Sequence, residues 1–177
     1  MKLIGITGKA RSGKDTIARH MWSNHVFTRI ALADPLKRSA QAAFGLTTNE
    51  AYNDEFKEVV IPRWDLSPRQ IFQQVGDLFK AHFGDDFWVK RWQITYDLFK
   101  DTDDIVVPDV RFDNEANMIR SLGGIIIEVR RGPGLVGSTG DHCSERGLSS
   151  LPEIVIENEG TLAEMYAQVD TEIEKWS

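Results

Sequence analysis

The chain has 177 residues, of which 41% are hydrophobic and 27% are charged, and its formal net charge at neutral pH is −6. This balance is typical of a globular domain and excludes an intrinsically disordered chain. No apolar run reaches the roughly 20 residues that span a bilayer, and the apolar start at residues 1–7 is too short for a signal peptide. We therefore expect one cytoplasmic domain that is neither secreted nor bound to a membrane.

Charge is distributed unevenly along the chain. Residues 1–100 contain 15 Lys and Arg against 11 Asp and Glu, whereas residues 101–177 contain 6 against 16. An acidic protein of this kind is a poor candidate for binding nucleic acid directly. A small anionic ligand, held by a few cations mostly from the first half, fits the composition better.

Cysteine and histidine give no sign of a disulfide or a structural metal site. Cys143 has no second thiol to pair with, and His20, His25, His82 and His142 do not fall in a ligand spacing such as H-x-x-x-H. We expect no structural metal. Catalysis by Cys143 is not expected either, because nothing nearby in the sequence supplies a paired base.

Short apolar strands alternate with helices along most of the chain. In chain order the predicted elements are a strand at 3–6, a helix at 13–23, a strand at 27–32, helices at 35–44, 68–83 and 86–99, a strand at 105–107, a helix at 114–122, strands at 125–127 and 154–156, and a helix at 161–176. Residues 45–65 are polar and predict a surface loop. The alternation predicts an α/β protein with a parallel sheet of about five strands and helices on both faces.

Local signals set several of these helices. Ser67 and Pro68 predict an N-cap and a first turn, and the helix that follows carries a predicted apolar face of Ile71, Val75, Leu78 and Phe79. Pro35 is expected in the first turn of its helix, and Gly45 at that helix's end. Trp88 and Trp92 fall at helical spacing, which favours core positions, although Trp88 is also a candidate for contact with a substrate.

The strongest functional motif is GKARSGKDT at residues 8–16, directly after the first strand and at the start of a helix. Glycines permit a turn whose backbone N–H groups converge on phosphate oxygens, and the helix N-terminus adds partial positive charge. Lys14 supplies a cation for the terminal phosphates. The bland alternative is an ordinary glycine-rich turn. The expected phosphate contacts are Gly8, Ala10, Arg11, Ser12, Gly13, Lys14, Asp15 and Thr16.

This loop departs from the usual pattern at one position. Asp15 stands where a Mg²⁺-binding hydroxyl usually follows the lysine, and Thr16 comes one residue later. Asp109, at the end of a buried strand, could face the same metal. We expect Thr16 and Asp109 to hold Mg²⁺, the alternative being an ion held mainly by phosphates, water and another carboxylate, and we leave its coordination geometry open.

Other polar residues follow the carboxyl ends of predicted strands, where ligand sites of parallel sheets lie. Asp34 could contact a ligand or cap the next helix, with Lys37 one turn on. Arg111 could bind a phosphate through its guanidinium group. For the neighbouring Asp113, we favour a helix cap.

The remaining candidate site residues are three arginines, a glutamine and a turn after the last strand. Arg69 and Gln73 share a helix face, although a lone arginine is also consistent with a solvated surface. Arg130 and Arg131 begin a glycine-rich loop that could cover the site or simply be disordered. Asn158 and Gly160 could border a purine, or form an ordinary left-handed turn.

Seven segments together resemble the deoxynucleoside monophosphate kinases of tailed bacteriophages and prophages. In chain order they are GKARSGKDT, ALADPLK, SPRQIFQQVGD, DDFWV, PDVRFDNEA, HCSE and IENEGTL. The resemblance implies a three-layer P-loop kinase domain over residues 1–177, with a substrate-binding insertion at about 45–100 and a small lid at about 130–144. It also implies ATP and Mg²⁺ as cofactors, a deoxynucleoside monophosphate as substrate, and the cytoplasm of a host cell as location. A homodimer is compatible with it.

The resemblance also assigns roles. Lys14 and its loop would bind the donor phosphates, Arg69 and Arg111 the acceptor phosphate, and Arg130 or Arg131 would come from the lid. Asp34 would orient substrate or metal-bound water, because a phosphate acceptor with a second pKa near 6 needs no strong base. One alternative is a kinase with a hydroxyl acceptor, such as dephospho-coenzyme A, in which Asp34 is a true base. Another is a regulatory protein that binds nucleotide without transferring phosphate.

Overall fold

The structure is a computed structural model that describes residues 1–132 and 147–176. Most of the predicted lid, with His142 and Cys143, lies outside the described residues. The chain divides into two compact units. The first contains Met1–Ala31 and the described residues from Tyr96 onward, and the second contains Leu32–Thr95, which includes most of the predicted insertion.

The first unit is built on a parallel sheet of five strands. They are β1 (Leu3–Thr7), β2 (Thr28–Arg29), β3 (Ile105–Val107), β4 (Ile125–Arg130) and β5 (Ile154–Glu157). Every pairing is parallel, and the spatial order is β2-β3-β1-β4-β5. This confirms the predicted class and strand number. Because β1, β3 and β4 are parallel neighbours, the loops that follow them leave the same edge of the sheet.

Seven helices lie in the described part of the chain. They are α1 (Lys14–Asn24), α2 (Ala33–Phe44), α3 (Thr48–Tyr52), α4 (Pro68–Phe83), α5 (Phe87–Phe99), α6 (Asp113–Ser121) and α7 (Leu162–Lys175). Successive residues of β1 point to opposite faces of the sheet. Ile4 and Ile6 belong to the cluster that contains Ile17 of α1 and Val169 of α7. At Gly5, an added Cβ would lie 2.7 Å from Ile119 of α6. The sheet is therefore covered by helices on both faces.

The second unit has an apolar cluster of its own. Its buried members are Ala40, Leu46, Ile61, Ile71, Val75 and Trp88. The helices α2 and α4 pack closely where Leu36 faces Gly76, whose missing side chain leaves that space. Ser67 caps α4 as predicted: its hydroxyl accepts a hydrogen bond from the Gln70 backbone N–H, and the Ser67 backbone N–H donates one to the Gln70 side-chain oxygen.

Some predicted elements differ from the structure. The strand predicted at 27–32 is only Thr28–Arg29, because the chain turns into α2 at Ala33. The predicted loop at 45–65 contains the short helix α3, which Thr47 and Glu50 cap reciprocally. Leu78, predicted on the apolar face of α4, is 55% exposed. Among the described residues, no helix combines the length and apolar character needed to cross a bilayer.

Candidate functional site

The loop between β1 and α1 has the backbone of a phosphate-binding turn. Gly8 has φ 138° and Gly13 has φ 111°, values that L side chains rarely adopt. A Cβ on Gly8 would lie 2.4 Å from the Val129 carbonyl oxygen, and one on Gly13 would lie 2.8 Å from Asn158 Nδ2. Both glycines are thus required by conformation and by space, as the motif predicted.

Lys14 lies over this loop. Its ammonium group donates hydrogen bonds to the carbonyl oxygens of Gly8, at 2.6 Å, and Lys9, at 2.7 Å. Within the described chain, the buried hydroxyl of Ser12 has no hydrogen-bond partner. A folded-back cation and an unsatisfied buried hydroxyl are what a loop shaped for phosphate oxygens presents.

A cavity of about 290 Å³ opens beside the loop at the N-terminus of α1. Its lining residues are Arg11, Gly13, Lys14, Asp15, Thr16, Arg131, Asn158, Gly160, Leu162 and Met165. Asn158 holds one wall in place, because its side-chain N–H donates to the Ser12 carbonyl oxygen at 2.8 Å. The structure therefore brings Asn158 and Gly160 to the phosphate-binding loop.

A second cavity, of about 210 Å³, lies on the other side of Lys14. Arg111 and Glu128 line it together with Thr7, Gly8, Lys9, Ala10, Lys14, Val110, Gly147, Leu148, Ser150 and Pro152. Glu128 is at the end of β4, paired in register with Thr7 of β1. Lys14 thus lines both cavities, and the second contains a guanidinium group suited to an anion.

The segment after β3 holds Arg111 at this position. Glu115, in the first turn of α6, accepts hydrogen bonds from the backbone N–H groups of Arg111, at 2.7 Å, and Phe112, at 3.0 Å. The predicted capping role of Asp113 is wrong. Asp113 is the first residue of α6, and its carboxylate accepts from the Ser149 backbone and hydroxyl, which holds the pKa of Asp113 below its usual value.

The two arginines at the end of β4 are in different surroundings. Arg131 lines the larger cavity, and its Nη1 lies 3.4 Å from the Arg11 carbonyl oxygen. Arg130 pairs with Glu128, at 2.7 Å between Nη2 and Oε2, and this hydrogen bond raises the pKa of Arg130. Of the two, Arg131 is the one at the phosphate-binding loop.

Comparison with known proteins identifies the family. A model of the deoxynucleotide monophosphate kinase family matches residues 2–59 and 46–169. The chain belongs to this family. Its kinase assignment, which the loop and its companion motifs predicted, is thereby confirmed.

Viral proteins are among the relatives of this kinase. A protein of Acanthamoeba polyphaga mimivirus, provisionally named a deoxynucleotide monophosphate kinase, is 34% identical over 184 residues, covering 96% of this chain and 94% of that protein. The deoxynucleotide monophosphate kinase of Escherichia phage RB69 is 32% identical over 111 residues, covering 60% of this chain and 44% of that protein.

Solved structures agree on the fold. The dephospho-CoA kinase of Campylobacter jejuni superposes with a TM-score of 0.56 at 14% identity, covering 100% of this chain and 98% of that one. A provisionally named kinase from Chloroflexus aurantiacus superposes with a TM-score of 0.52 at 15% identity, covering 99% of this chain and 95% of that one. At these identities the likeness shows the fold alone, which is the predicted P-loop kinase fold.

Oxygen donors for a divalent cation are present in the kinase's first unit. Thr16 and Asp15 line the larger cavity beside Lys14. Asp109 lies two residues after the end of β3 and is half-buried, but it is not among the residues that line either of the two cavities. Hydroxyl and carboxylate oxygens are the ligands that Mg²⁺ accepts, so the donor set at the loop fits this ion.

The remaining predicted site residues are in the second unit of the kinase. Asp34 is in the first turn of α2, but the N-cap of that helix is Leu32, so the capping alternative for Asp34 is wrong. Lys37 lies 5.1 Å from the centre of the Tyr52 ring. Arg69 forms an ion pair with Glu58, and Gln73 is half-buried on the same helix.

Trp88 occupies the core position that its spacing favoured. The side chain is buried in the apolar cluster of the second unit, and its indole N–H donates to the Gly76 carbonyl oxygen at 3.2 Å. Packing and hydrogen bonding therefore account for this tryptophan.

Sequence reasoning missed Glu128. This residue interrupts the apolar strand IIIEVR, and a single acid near the end of a buried strand was the available signal. It lines the cavity that also contains Arg111 and Lys14, and it holds Arg130. Its carboxylate is the one negative charge among the described lining residues of that cavity.

Proposed function

We propose that this kinase transfers the γ-phosphoryl group of ATP, carried with Mg²⁺, to a deoxynucleoside monophosphate, and that it does so in the cytoplasm of a host cell. The observation that carries the proposal is the position of Lys14 on both cavities, one beside the phosphate-binding loop and one lined by Arg111. Two anion sites that share one lysine suit a donor and an acceptor phosphate.

The donor nucleotide is assigned to the larger cavity. Loop N–H groups and the α1 N-terminus bind its phosphates, and Lys14 exchanges its carbonyl partners for phosphate oxygens. Arg131 lies on the same cavity and neutralises charge on the transferring group. Thr16 and Asp109 are the proposed Mg²⁺ ligands, and the ion supplies charge neutralisation when bound.

The acceptor phosphate is assigned to the cavity of Arg111. A guanidinium group binds a phosphate through two parallel hydrogen bonds and so fixes its direction of attack. Glu128 on the same wall would repel a fully ionised phosphate placed against it, which leaves the Arg111 side as the favourable one. The roles of Asp34, Lys37, Arg69 and Gln73 in binding the acceptor rest on the sequence resemblance.

Catalysis on this proposal is alignment and charge neutralisation. The acceptor phosphate is mostly dianionic at neutral pH, because its second pKa is near 6, and it attacks without a strong base. Asp34 then orients substrate, and Asp34→Asn lowers activity only partially.

A substrate panel tests the proposal. The protein is incubated with ATP, Mg²⁺ and each of the four deoxynucleoside monophosphates, and ADP release is followed. Dephospho-coenzyme A and a deoxynucleoside serve as hydroxyl acceptors. We expect release with at least one monophosphate and none with the hydroxyl acceptors. Release with a hydroxyl acceptor alone, abolished by Asp34→Asn, would overturn the proposal in favour of a hydroxyl kinase.

A further inference from the structure

A cluster of His20, His25 and Asp170 lies in the first unit, away from the two cavities. The Nε2 atoms of both histidines point at one carboxylate oxygen of Asp170, at 2.6 Å from His20 and 2.7 Å from His25. The ligand-forming atoms of all three residues lie within 4.8 Å of one another. Nothing in the kinase chemistry above uses this cluster.

We propose that His20, His25 and Asp170 form a binding site for a divalent transition metal, with Zn²⁺ as the best fit. Two imidazole nitrogens and one carboxylate oxygen are a donor set that Zn²⁺ accepts, with water as fourth ligand. Solvent reaches the cluster, because the Asp170 side chain is 39% exposed and that of His25 is 25% exposed. The fourth position is therefore open to water.

Small movements convert the present geometry into a coordination sphere. In a tetrahedral site with bonds of about 2.0 Å, donor atoms lie about 3.3 Å apart. The two Nε2–Oδ1 distances must therefore widen by about 0.6–0.7 Å, and the two Nε2 atoms, which lie within 4.8 Å of each other, must reach about the same 3.3 Å spacing. Rotation of the half-exposed Asp170 carboxylate and a shift of the partly exposed His25 ring supply these movements. His20 stays in place because it is buried and stacks on Tyr166 with ring centres 4.0 Å apart.

The second nitrogen of His20 is also supported. Its Nδ1 lies 2.8 Å from the Asn24 side-chain amide. When Nε2 binds a metal, the ring proton resides on Nδ1 and needs an acceptor. A flip of the Asn24 amide places its oxygen beside Nδ1, so Asn24 can hydrogen-bond to His20 in both the metal-free and the metal-bound state.

The site would join two helices that also border the donor cavity. His20 is on α1 and His25 follows its last residue, whereas Asp170 is on α7. The other end of α1 carries Lys14 and Thr16 on the donor cavity, and Met165 of α7 lines the same cavity. A metal at this site binds only the folded arrangement of α1 and α7 and so stabilises it.

Local ligand spacing along the chain predicts no structural metal, because this site has no such spacing. His20 and His25 are five residues apart, which separates them on an ideal helix, but His25 lies beyond the end of α1. The third ligand comes from α7, 145 residues after His25. Only the packing of α1 against α7 brings the three together.

Metal titration of the tag-free, metal-depleted full chain tests the proposal. Zn²⁺ binding is followed by calorimetry, and Co²⁺ is used as a probe whose visible absorption reports tetrahedral coordination. We expect one high-affinity site and a Tm that rises by about 5 °C at a hundredfold excess of Zn²⁺ over its Kd. His25→Ala and Asp170→Asn should each weaken binding at least about tenfold. The matched control is His82→Ala, at an exposed histidine on α4, which should leave binding unchanged.

Asn24→Asp gives a test that does not remove a ligand. A carboxylate that accepts from Nδ1 makes His20 a stronger ligand, so we expect this variant to bind Zn²⁺ more tightly. The proposal is overturned if the wild-type chain binds Zn²⁺ no better than His25→Ala does, or if the Co²⁺ spectrum shows no tetrahedral site. Either result would make the cluster a hydrogen-bonded clamp between α1 and α7. Circular dichroism confirms that each variant is folded.

Discussion

The Lys14 ammonium group is held in place by hydrogen bonds to the phosphate-binding loop. The Nζ atom donates to two loop carbonyls, Gly8 and Lys9, at hydrogen-bond lengths. Phosphate oxygens would replace neutral carbonyl acceptors with charged ones, which adds charge–charge attraction to each hydrogen bond of the ammonium group. The exchange thus favours the nucleotide complex.

Removing Lys14 or Arg111 from the lining of the acceptor cavity should reduce turnover sharply. Lys14→Ala and Arg111→Ala should each lower kcat at least about a hundredfold, because a lost transition-state contact costs about 3–4 kcal/mol. The measurement is ADP release at saturating ATP and deoxynucleoside monophosphate. Lys175→Ala, at an exposed lysine of α7 that lines neither cavity, is the control and should stay near wild type. Near-normal turnover in a folded Arg111→Ala would remove Arg111 from the site.

Arg131 and Arg130 should behave differently on substitution. Arg131→Ala should lower kcat at least about tenfold, because Arg131 lines the donor cavity, and arginines that contact the transferring group contribute strongly to phosphoryl transfer. Arg130→Ala should have a smaller effect, because Arg130 is held by Glu128. Steady-state kinetics of the two variants side by side make the comparison. Equal losses, or a larger loss for Arg130→Ala, would contradict the assignment.

Site residues that belong to one sequence motif could be predicted, whereas site residues brought together only by packing could not. Gly8, Gly13 and Lys14 were found because a phosphate-binding loop needs them at fixed positions along the chain. Glu128 was missed because its importance comes from the neighbouring strand β1. The choice between Arg130 and Arg131 depended on which way each side chain turns, which no spacing encodes.

The turn from β1 to α1 is an element held together by two glycines. Gly8 approaches the backbone of β4, and Gly13 approaches Asn158 after β5. The loop's shape therefore depends on strands far along the chain. This is why glycine is required here for close approach as well as for φ.

Gly8→Ala should weaken ATP binding far more than an alanine substitution at another glycine of positive φ. The new Cβ would lie 2.4 Å from the Val129 carbonyl oxygen, so the backbone must shift. We expect ATP affinity to fall at least about tenfold and stability to fall by more than about 1 kcal/mol. Gly45→Ala is the matched control, since Gly45 has φ 60° but open space around it. It should lose stability and keep ATP affinity. Calorimetric ATP titration and urea unfolding distinguish them, and equal ATP affinities would contradict this account.

The connection before β5 is fixed by an ion pair with several hydrogen bonds. Arg120 of α6 donates to Glu153 at 2.8 Å, and Glu153 accepts from the Ile126 backbone of β4 at 2.7 Å. Partial burial raises the pKa of Glu153, but the bonds from Arg120 and Ile126 outweigh it, and the net pKa is lowered. The stabilisation is therefore present above the unfolded pKa, near 4.3, and is lost as pH falls through the lower folded value.

Glu153→Gln should expose this pH dependence. At pH 7 we expect the free energy of unfolding to fall by about 1 kcal/mol, a modest value because the pair is partly exposed. The difference from wild type should shrink as pH is lowered below about 4, where the carboxylate of the wild type also becomes neutral. Urea unfolding at several pH values measures it. Glu172→Gln, in an exposed pair with Lys175, should change little. A difference that persists at low pH would contradict the pKa direction.

Element boundaries were predicted well where the local signal was strong. Ser67 and Pro68 marked the start of α4, and the continuous apolar runs marked β3, β4 and β5. The start of α6 was misjudged because Asp113 resembles a cap, yet its carboxylate bonds to Ser149, 36 residues away. The Asp113 carboxylate binds Ser149, a residue distant in sequence, instead of capping α6.

The whole molecule combines a parallel sheet unit with a second unit of its own core. The sheet's class and strand number were predictable from the alternation of strands and helices, and the kinase family from the resemblance of seven segments. The two cavities beside the phosphate-binding loop were not predictable, because they form only where the ends of three strands meet. The His20, His25 and Asp170 cluster illustrates the same limit, since its members come together only through α1 and α7.

The most direct measurement is transfer of label from [γ-³²P]ATP to a deoxynucleoside monophosphate. Wild type and Lys14→Ala are incubated with Mg²⁺ and the monophosphate, and the products are separated by chromatography. The account predicts label in the deoxynucleoside diphosphate with wild type and at least about a hundredfold less with Lys14→Ala. Label that appears only as inorganic phosphate, or diphosphate formed equally by both proteins, would contradict it.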